Sequence, residues 1–188
     1  VSGLRAFDGE FNFAATEDLG GGLKVSANAG LEVLGRSSVS ALDATVALSG
    51  GFGTVTLGSV VGLEVTVSTG FKELTLERPV DILKYSTPDM GGFSASLAYM
   101  DSVGGPAAGG SESASTKPTA VQLDLSYAAG PFSAGLVYAS YAKKGATVGP
   151  ALHTETPDRA YKLTGSYDFG AAKLSAGLSK ANHSIAGV

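Results

Sequence analysis

Apolar and polar residues alternate with a period of two in segments of about ten residues, and the pattern recurs along most of the chain. Between Val121 and Tyr127 the odd positions are Val, Leu, Leu and Tyr, and the even positions are Gln, Asp and Ser. Successive side chains of a β-strand point to opposite sides of a sheet, so each segment predicts a strand with one apolar and one wet face. We count about ten such segments and predict an all-β chain.

Short and long connections alternate between the predicted strands. The short ones are glycine-containing turns, at residues 17–22, 50–53, 89–92, 128–131 and 169–172. The longer ones are polar, and the largest are residues 103–118 and 145–158. A chain with turns on one side of a layer and loops on the other crosses that layer repeatedly, which predicts antiparallel strands of a transmembrane β-barrel.

A soluble β-sandwich or barrel is the alternative fold, because its strands also alternate when one face packs on a core. Two features favour the membrane barrel. Aromatic residues recur near strand ends, as interface belts require, and small residues occupy positions where a packed core needs bulk.

The composition excludes several classes of protein. No window approaches the roughly 20 consecutive apolar residues of a transmembrane helix. The formal net charge is −4 and no basic face is evident, which argues against a nucleic-acid partner. Cysteine is absent, so disulfides, thiolate metal sites and a cysteine nucleophile are excluded.

No catalytic constellation is evident in the sequence. The two histidines, His153 and His183, both fall in predicted loops, which gives a Ser/His/Asp hydrolase or a zinc site little support. Glycine pairs such as Gly50-Gly51 lie in turns without a following helix, which argues against a dinucleotide site. We therefore predict that the chain is not an enzyme and has no catalytic, cofactor-binding or metal-binding residues.

Five fragments combine turn glycines with aromatic or charged residues. They are ATEDLGGGLK at 15–24, LSGGFGTVTLG at 48–58, LKYSTP with GGFS at 83–94, SYAAGP at 126–131 and SYDFG at 166–170. In this order they resemble hairpins of the general porins of the Gram-negative (proteobacterial) outer membrane. The resemblance covers most of the chain. Because all five fragments occur in the same order as in the family, together they are more specific than any single fragment.

The resemblance implies a porin β-barrel domain of about sixteen antiparallel strands, forming a homotrimer in the outer membrane. Its implied function is a water-filled channel for passive diffusion of small hydrophilic solutes and ions. The implied partners are other copies of the chain, outer-membrane lipid and lipopolysaccharide. Residues 1–188 match one such domain from within its second strand to about its eleventh, so we expect this domain to be incomplete at both ends.

Charged residues on the wet faces are the candidates for the channel wall. The pore-lining and constriction candidates are Glu10, Lys24, Glu64, Glu73, Glu77, Lys84, Asp124 and Lys162. Residues 62–81 contain three of these acids, and the resemblance implies that they correspond to the inward-folded third loop of the family. We expect this loop to narrow the pore opposite Lys84.

The charge balance of the predicted wall indicates selectivity. The resemblance places Lys84 where the family has a pore-wall arginine, and Glu10 and Ser59 where further arginines are common. Four more acids share the predicted wet faces, namely Asp8, Glu32, Asp43 and Asp168. Wall acids therefore exceed wall bases, and fixed charge of that sign predicts a mild preference for cations.

A second function is compatible with the same kind of outer-membrane barrel. An outer-membrane barrel can serve in surface binding or adhesion, or as a hydrolase. Such a role requires a Ser/His pair on the wall or a recognition loop, and only residues 103–118 and 145–158 offer the latter.

Overall fold

The computed structural model describes residues 9–34, 38–65, 74–101, 119–142 and 159–182. They form ten strands: β1 (Glu10–Gly20), β2 (Leu23–Leu34), β3 (Ser38–Gly50), β4 (Gly53–Val65), β5 (Leu74–Ser86), β6 (Phe93–Asp101), β7 (Thr119–Ala129), β8 (Phe132–Ala142), β9 (Arg159–Asp168) and β10 (Lys173–Asn182). Within these ranges no helix is long and apolar enough to cross a membrane.

All ten strands form one sheet whose spatial order is the order along the chain. Each strand pairs antiparallel with the next, and β1 and β10 are the edges of the described sheet. The prediction of an all-β chain with antiparallel strands is confirmed.

The short turns all lie at one end of the sheet, because each joins an odd-numbered strand to the next strand. In the first turn Gly21 has a φ of +62°, which glycine adopts readily. The Gly20 N–H donates to Asp18 Oδ1 at 2.8 Å, and the Gly170 N–H donates to Asp168 Oδ1 at 2.7 Å. The predicted turns are confirmed, although β1 continues to Gly20 and shortens the first one. Residues 103–118 and 145–158 lie outside the described part of the chain.

The prediction of one long loop over residues 62–81 is wrong. β4 continues to Val65 and β5 begins at Leu74, and Leu63 pairs with Leu76 across the two strands. The reason lies in the residues themselves, since the alternation of apolar residues extends into both arms of the hairpin and the backbone hydrogen bonds continue with it. Only residues 66–73 remain as the connection, and they lie outside the described ranges.

A register shift between β2 and β3 interrupts the regular pairing. Ala29 pairs with Ala44 and Leu31 pairs with Ala41, so Gly30 faces two residues instead of one. A Cβ atom at Gly30 would lie 3.0 Å from the Cβ of Leu42. This β-bulge therefore depends on the absence of a side chain at Gly30.

The sheet has one apolar face. Its large side chains are exposed, for example Leu57 at 62%, Leu97 at 52% and Leu163 at 52%. The register places all the side chains predicted to face outward on this one face: Leu123, Leu125, Tyr127, Leu136, Tyr138, Leu163 and Tyr167. Asp124 and Lys162 lie on the opposite face, so the predicted register is confirmed.

The opposite face, called the polar face below, also carries a buried apolar cluster that the sequence analysis did not predict. The cluster contains Ile82, Met100, Ala120, Ala139 and Ala160, with Val60 packed against it. It lies near the end of the sheet away from the short turns, since Met100 is next to last in β6 and Ala120 is second in β7.

Candidate functional site

Two neighbouring rows of paired residues carry the central charges of the polar face. One row runs across β4 to β9 through Thr56, Lys84, Ala98, Gln122, Ala139 and Ala160. The next row, closer to the short turns, runs across β5 to β9 through Ser86, Ser96, Asp124, Val137 and Lys162. The register thus brings three predicted wall residues, from β5, β7 and β9, onto one surface.

Asp124 is held at the centre of this surface by two neighbouring side chains. Gln122 Nε2 donates to its Oδ1 at 2.7 Å, and Ser96 Oγ donates to its Oδ2 at 2.9 Å. Ser96 is the direct partner of Asp124 on β6, and Gln122 precedes it by two on β7. Both donors are uncharged, so they orient the carboxylate without neutralising it.

Lys84 and Lys162 lie on either side of this cluster. Lys84 is two strands from Gln122 in one row, and Lys162 is two strands from Asp124 in the other. Two strand spacings of about 4.8 Å separate the backbones by about 10 Å, which is beyond direct ion-pair contact for unextended side chains. Neither lysine forms an ion pair with any residue that the structure describes.

Further charges follow the polar face toward β1. Glu10 pairs directly with Glu32, whose Oε2 accepts a hydrogen bond from Ser40 Oγ at 3.1 Å. Lys24 pairs with Asp18 beside the first turn. Glu10 and Lys24 therefore share the parity predicted for the wall.

The predicted constriction acids are only partly placed. Glu64 lies in β4 opposite Thr75, and Glu77 lies in β5, but their side chains are outside the described part of the chain, as is all of Glu73. Their approach to Lys84 stays a prediction.

Two expectations about the wall change with the register. Ser59 pairs with Ala44 and Asp81, two positions beyond Leu57, and therefore lies on the apolar face. The expectation that Ser59 replaces a wall arginine is wrong, because a period of two gives Ser59 and Leu57 the same side. Asp43 lies in the bulge opposite Gly30, where strict alternation no longer assigns a face.

The register adds one acid and one base to the polar face, both next to short turns. Asp18 pairs with Lys24, and Lys173 pairs with Asp168. Asp8 lies outside the described residues. In the described ranges no three His, Cys, Asp or Glu side chains come together as a metal site.

Aromatic side chains line the apolar face beside the short turns. Phe93 pairs with Tyr127 and Phe132 pairs with Tyr167 across neighbouring strands. The rings of Tyr127 and Phe132 lie 6.2 Å apart, and those of Tyr167 and Phe169 lie 4.6 Å apart. Exposed aromatic rows at the edge of an apolar band are typical of strands at a membrane interface.

The chain matches the family described as Gram-negative porin over residues 3–187. It belongs to this porin family. A porin of Gram-negative bacteria lies in the outer membrane, and the exposed apolar face with its aromatic row agrees with that location. No curated protein matches the chain significantly.

Sequence reasoning did not name Gln122 among the candidates for the porin wall. The alternation of residues predicted that Gln122 lies on the polar face, but it did not predict the hydrogen bond from Gln122 to Asp124, which the structure shows. One signal was available, since residues two apart on a strand share a face and an amide can reach a neighbouring carboxylate.

Proposed function

We propose that this porin forms a water-filled channel through which small hydrophilic solutes and ions diffuse passively across the outer membrane. The observation that carries the proposal is the separation of side chains by face. Large apolar residues are exposed on one face, while Lys84, Asp124 and Lys162 lie on the other.

The two faces require different surroundings. Exposed large apolar side chains occur on every one of the ten strands, whereas soluble monomers rarely expose contiguous apolar patches larger than a few hundred Å², so this face is matched to lipid or to another subunit. Charged side chains that are not paired with one another need water, because an ion without compensation is costly in a medium of low dielectric. A sheet between lipid and water is the wall of a channel.

The finer features of the proposal follow the family. The channel is a homotrimer of single-domain barrels, in contact with outer-membrane lipid and lipopolysaccharide. It acts without a cofactor and is not an enzyme, because passive diffusion needs no nucleophile, metal or general base. Glu64, Glu73 and Glu77 contribute to a constriction that faces Lys84.

The test is conductance of the intact protein in planar bilayers. We expect stepwise current increases with a mild preference for cations, since acids exceed bases on the wall. Proteoliposomes should also swell in small neutral sugars, and the rate should fall as sugar size increases. Heat-denatured protein is the control. If the native protein gives neither steps nor swelling above this control, the channel proposal is wrong.

A further inference from the structure

The geometry points to Gln122, Asp124 and Ser96 as an element that raises the preference of the channel for cations. In this cluster Asp124 supplies the charge, and Gln122 is a positioning residue that holds the carboxylate in place. The inference rests on the proposed channel function and goes beyond it by naming the class of solute that is favoured and the residues that select it.

The carboxylate of Asp124 is fixed on both oxygens. Its partners are the Gln122 amide at 2.7 Å and the Ser96 hydroxyl at 2.9 Å. By contrast, within the described residues Glu32 receives one side-chain hydrogen bond, at 3.1 Å from Ser40, and Asp18 uses its Oδ1 for the N–H of Gly20. Asp124 is thus an acid of the polar face whose two carboxylate oxygens are both held by side chains.

The amide of Gln122 has one orientation that is compatible with this carboxylate. If the amide were reversed, its carbonyl oxygen would face Asp124 Oδ1, and two acceptors would repel each other. With Nε2 on the carboxylate, Oε1 is buried and makes no hydrogen bond within the part of the chain that the structure describes. The side chain is only 8% exposed.

Burial of the Gln122 amide has a desolvation cost, which its hydrogen bond to Asp124 offsets. The neighbours of Gln122 in its row are Ala98 and Ala139, exposed by 4% and 0%. An apolar residue would extend the buried cluster with no polar group left over. The amide instead donates a hydrogen bond that positions the Asp124 carboxylate.

Buried alanines lie along the row next to this carboxylate, where low dielectric screens charge poorly. Lys84 and Lys162, each two strands away, oppose its field at longer range, so the attraction of Asp124 for a cation is strongest at close approach. A cation that passes within about 4 Å of the carboxylate gains about 1 kcal/mol even at the dielectric of water, which corresponds to about a fivefold higher local concentration. Anions are depleted by the same effect.

The experiment measures the reversal potential of the intact protein in planar bilayers across a KCl gradient. In Asp124→Asn the cation-to-anion permeability ratio should fall by at least about fivefold, because cations lose their enrichment and anions their depletion. In Gln122→Met the ratio should also fall, but by less. The charge of Asp124 remains, and the carboxylate only loses the hydrogen bond that holds it in place. Glu17→Gln is the matched control, since it removes the same charge from the apolar face, where Glu17 pairs with Val25, and should leave the ratio unchanged.

Two comparisons separate positioning from a merely structural role. The double variant Gln122→Met/Asp124→Asn should match Asp124→Asn alone, because Gln122 acts through Asp124. Ser96→Ala should lower the ratio, whereas Ser96→Thr keeps the hydroxyl and should restore it.

The size of the KCl conductance step reports in each variant whether the pore is folded. Normal steps with an unchanged ratio in Asp124→Asn would overturn this inference and leave the channel proposal intact. Additive effects of the Gln122 and Asp124 substitutions would overturn the positioning role. Absence of any step in the unmodified protein would overturn the channel proposal, and this inference with it.

Discussion

Glu10 and Glu32 lie directly opposite each other on β1 and β2, so two carboxylates form a cross-strand pair on the polar face. Like charges in this arrangement destabilise neighbouring strands. Ser40 donates to Glu32 at 3.1 Å, which orients one carboxylate but does not remove the repulsion. The pair therefore adds negative charge to the polar face at the expense of local stability.

Glu10→Arg should convert this repulsive pair into an attractive one and move the reversal potential toward anions. Opposite charges across strands add about 0.2–1 kcal/mol to the free energy of unfolding. The measurements are bilayer reversal potentials and urea unfolding followed by circular dichroism. Glu17→Arg makes the same charge change on the apolar face and should leave the reversal potential unchanged. If Glu10→Arg has no effect on the potential either, Glu10 lies outside the selectivity region.

Gly53→Ala should disrupt the turn between β3 and β4. Gly53 has a φ of +109°, and a Cβ there would overlap the carbonyl oxygen of Ser86 on β5. Strain of this kind costs about 1–3 kcal/mol before the overlap is counted. Gly51→Ala is the control in the same turn, because nothing lies within 4 Å of a Cβ at Gly51. Equal unfolding free energies for the two variants, measured in urea, would contradict the turn geometry.

Leu163→Lys should destabilise the protein in a lipid bilayer. Leu163 lies on the apolar face between Leu136 and Leu178, and a lysine on the lipid side near the midplane costs about 2–4 kcal/mol. Ser175→Lys, on the polar face of β10, should change the unfolding free energy little. The unfolding free energy of each variant is measured in lipid vesicles. If Ser175→Lys were the more destabilised of the two, the polar face and not the apolar face would lie against lipid.

Tyr85→Phe should weaken the connection between β5 and the turn that precedes β4. The Tyr85 hydroxyl donates to the Phe52 carbonyl oxygen at 2.7 Å, and loss of such a bond lowers the unfolding free energy by about 0.5–1.5 kcal/mol. The matched control is Tyr99→Phe, also exposed on the apolar face, whose hydroxyl has no hydrogen bond in the described ranges. A loss of the same size in both variants would assign the effect to hydroxyl solvation.

The sequence by itself determined most of the strands, their antiparallel order and the side of most residues. A period of two is local: it follows from the backbone geometry of each strand and needs no knowledge of the neighbours. This is why Leu123 and Asp124 were assigned to opposite faces correctly. The turn at Gly21 was predictable for the same reason, because its positive φ and the preceding acid act within a few residues.

Only the tertiary structure decided which side chains meet across strands. The bond between Ser96 and Asp124 joins residues 28 positions apart, and it depends on the register of β6 on β7. Register is set by many pairs at once, so a bulge opposite Gly30 changes it without a strong local signal. The burial of Gln122 has the same origin, since the alanines beside it come from β6 and β8 and form its surroundings only when the sheet is assembled.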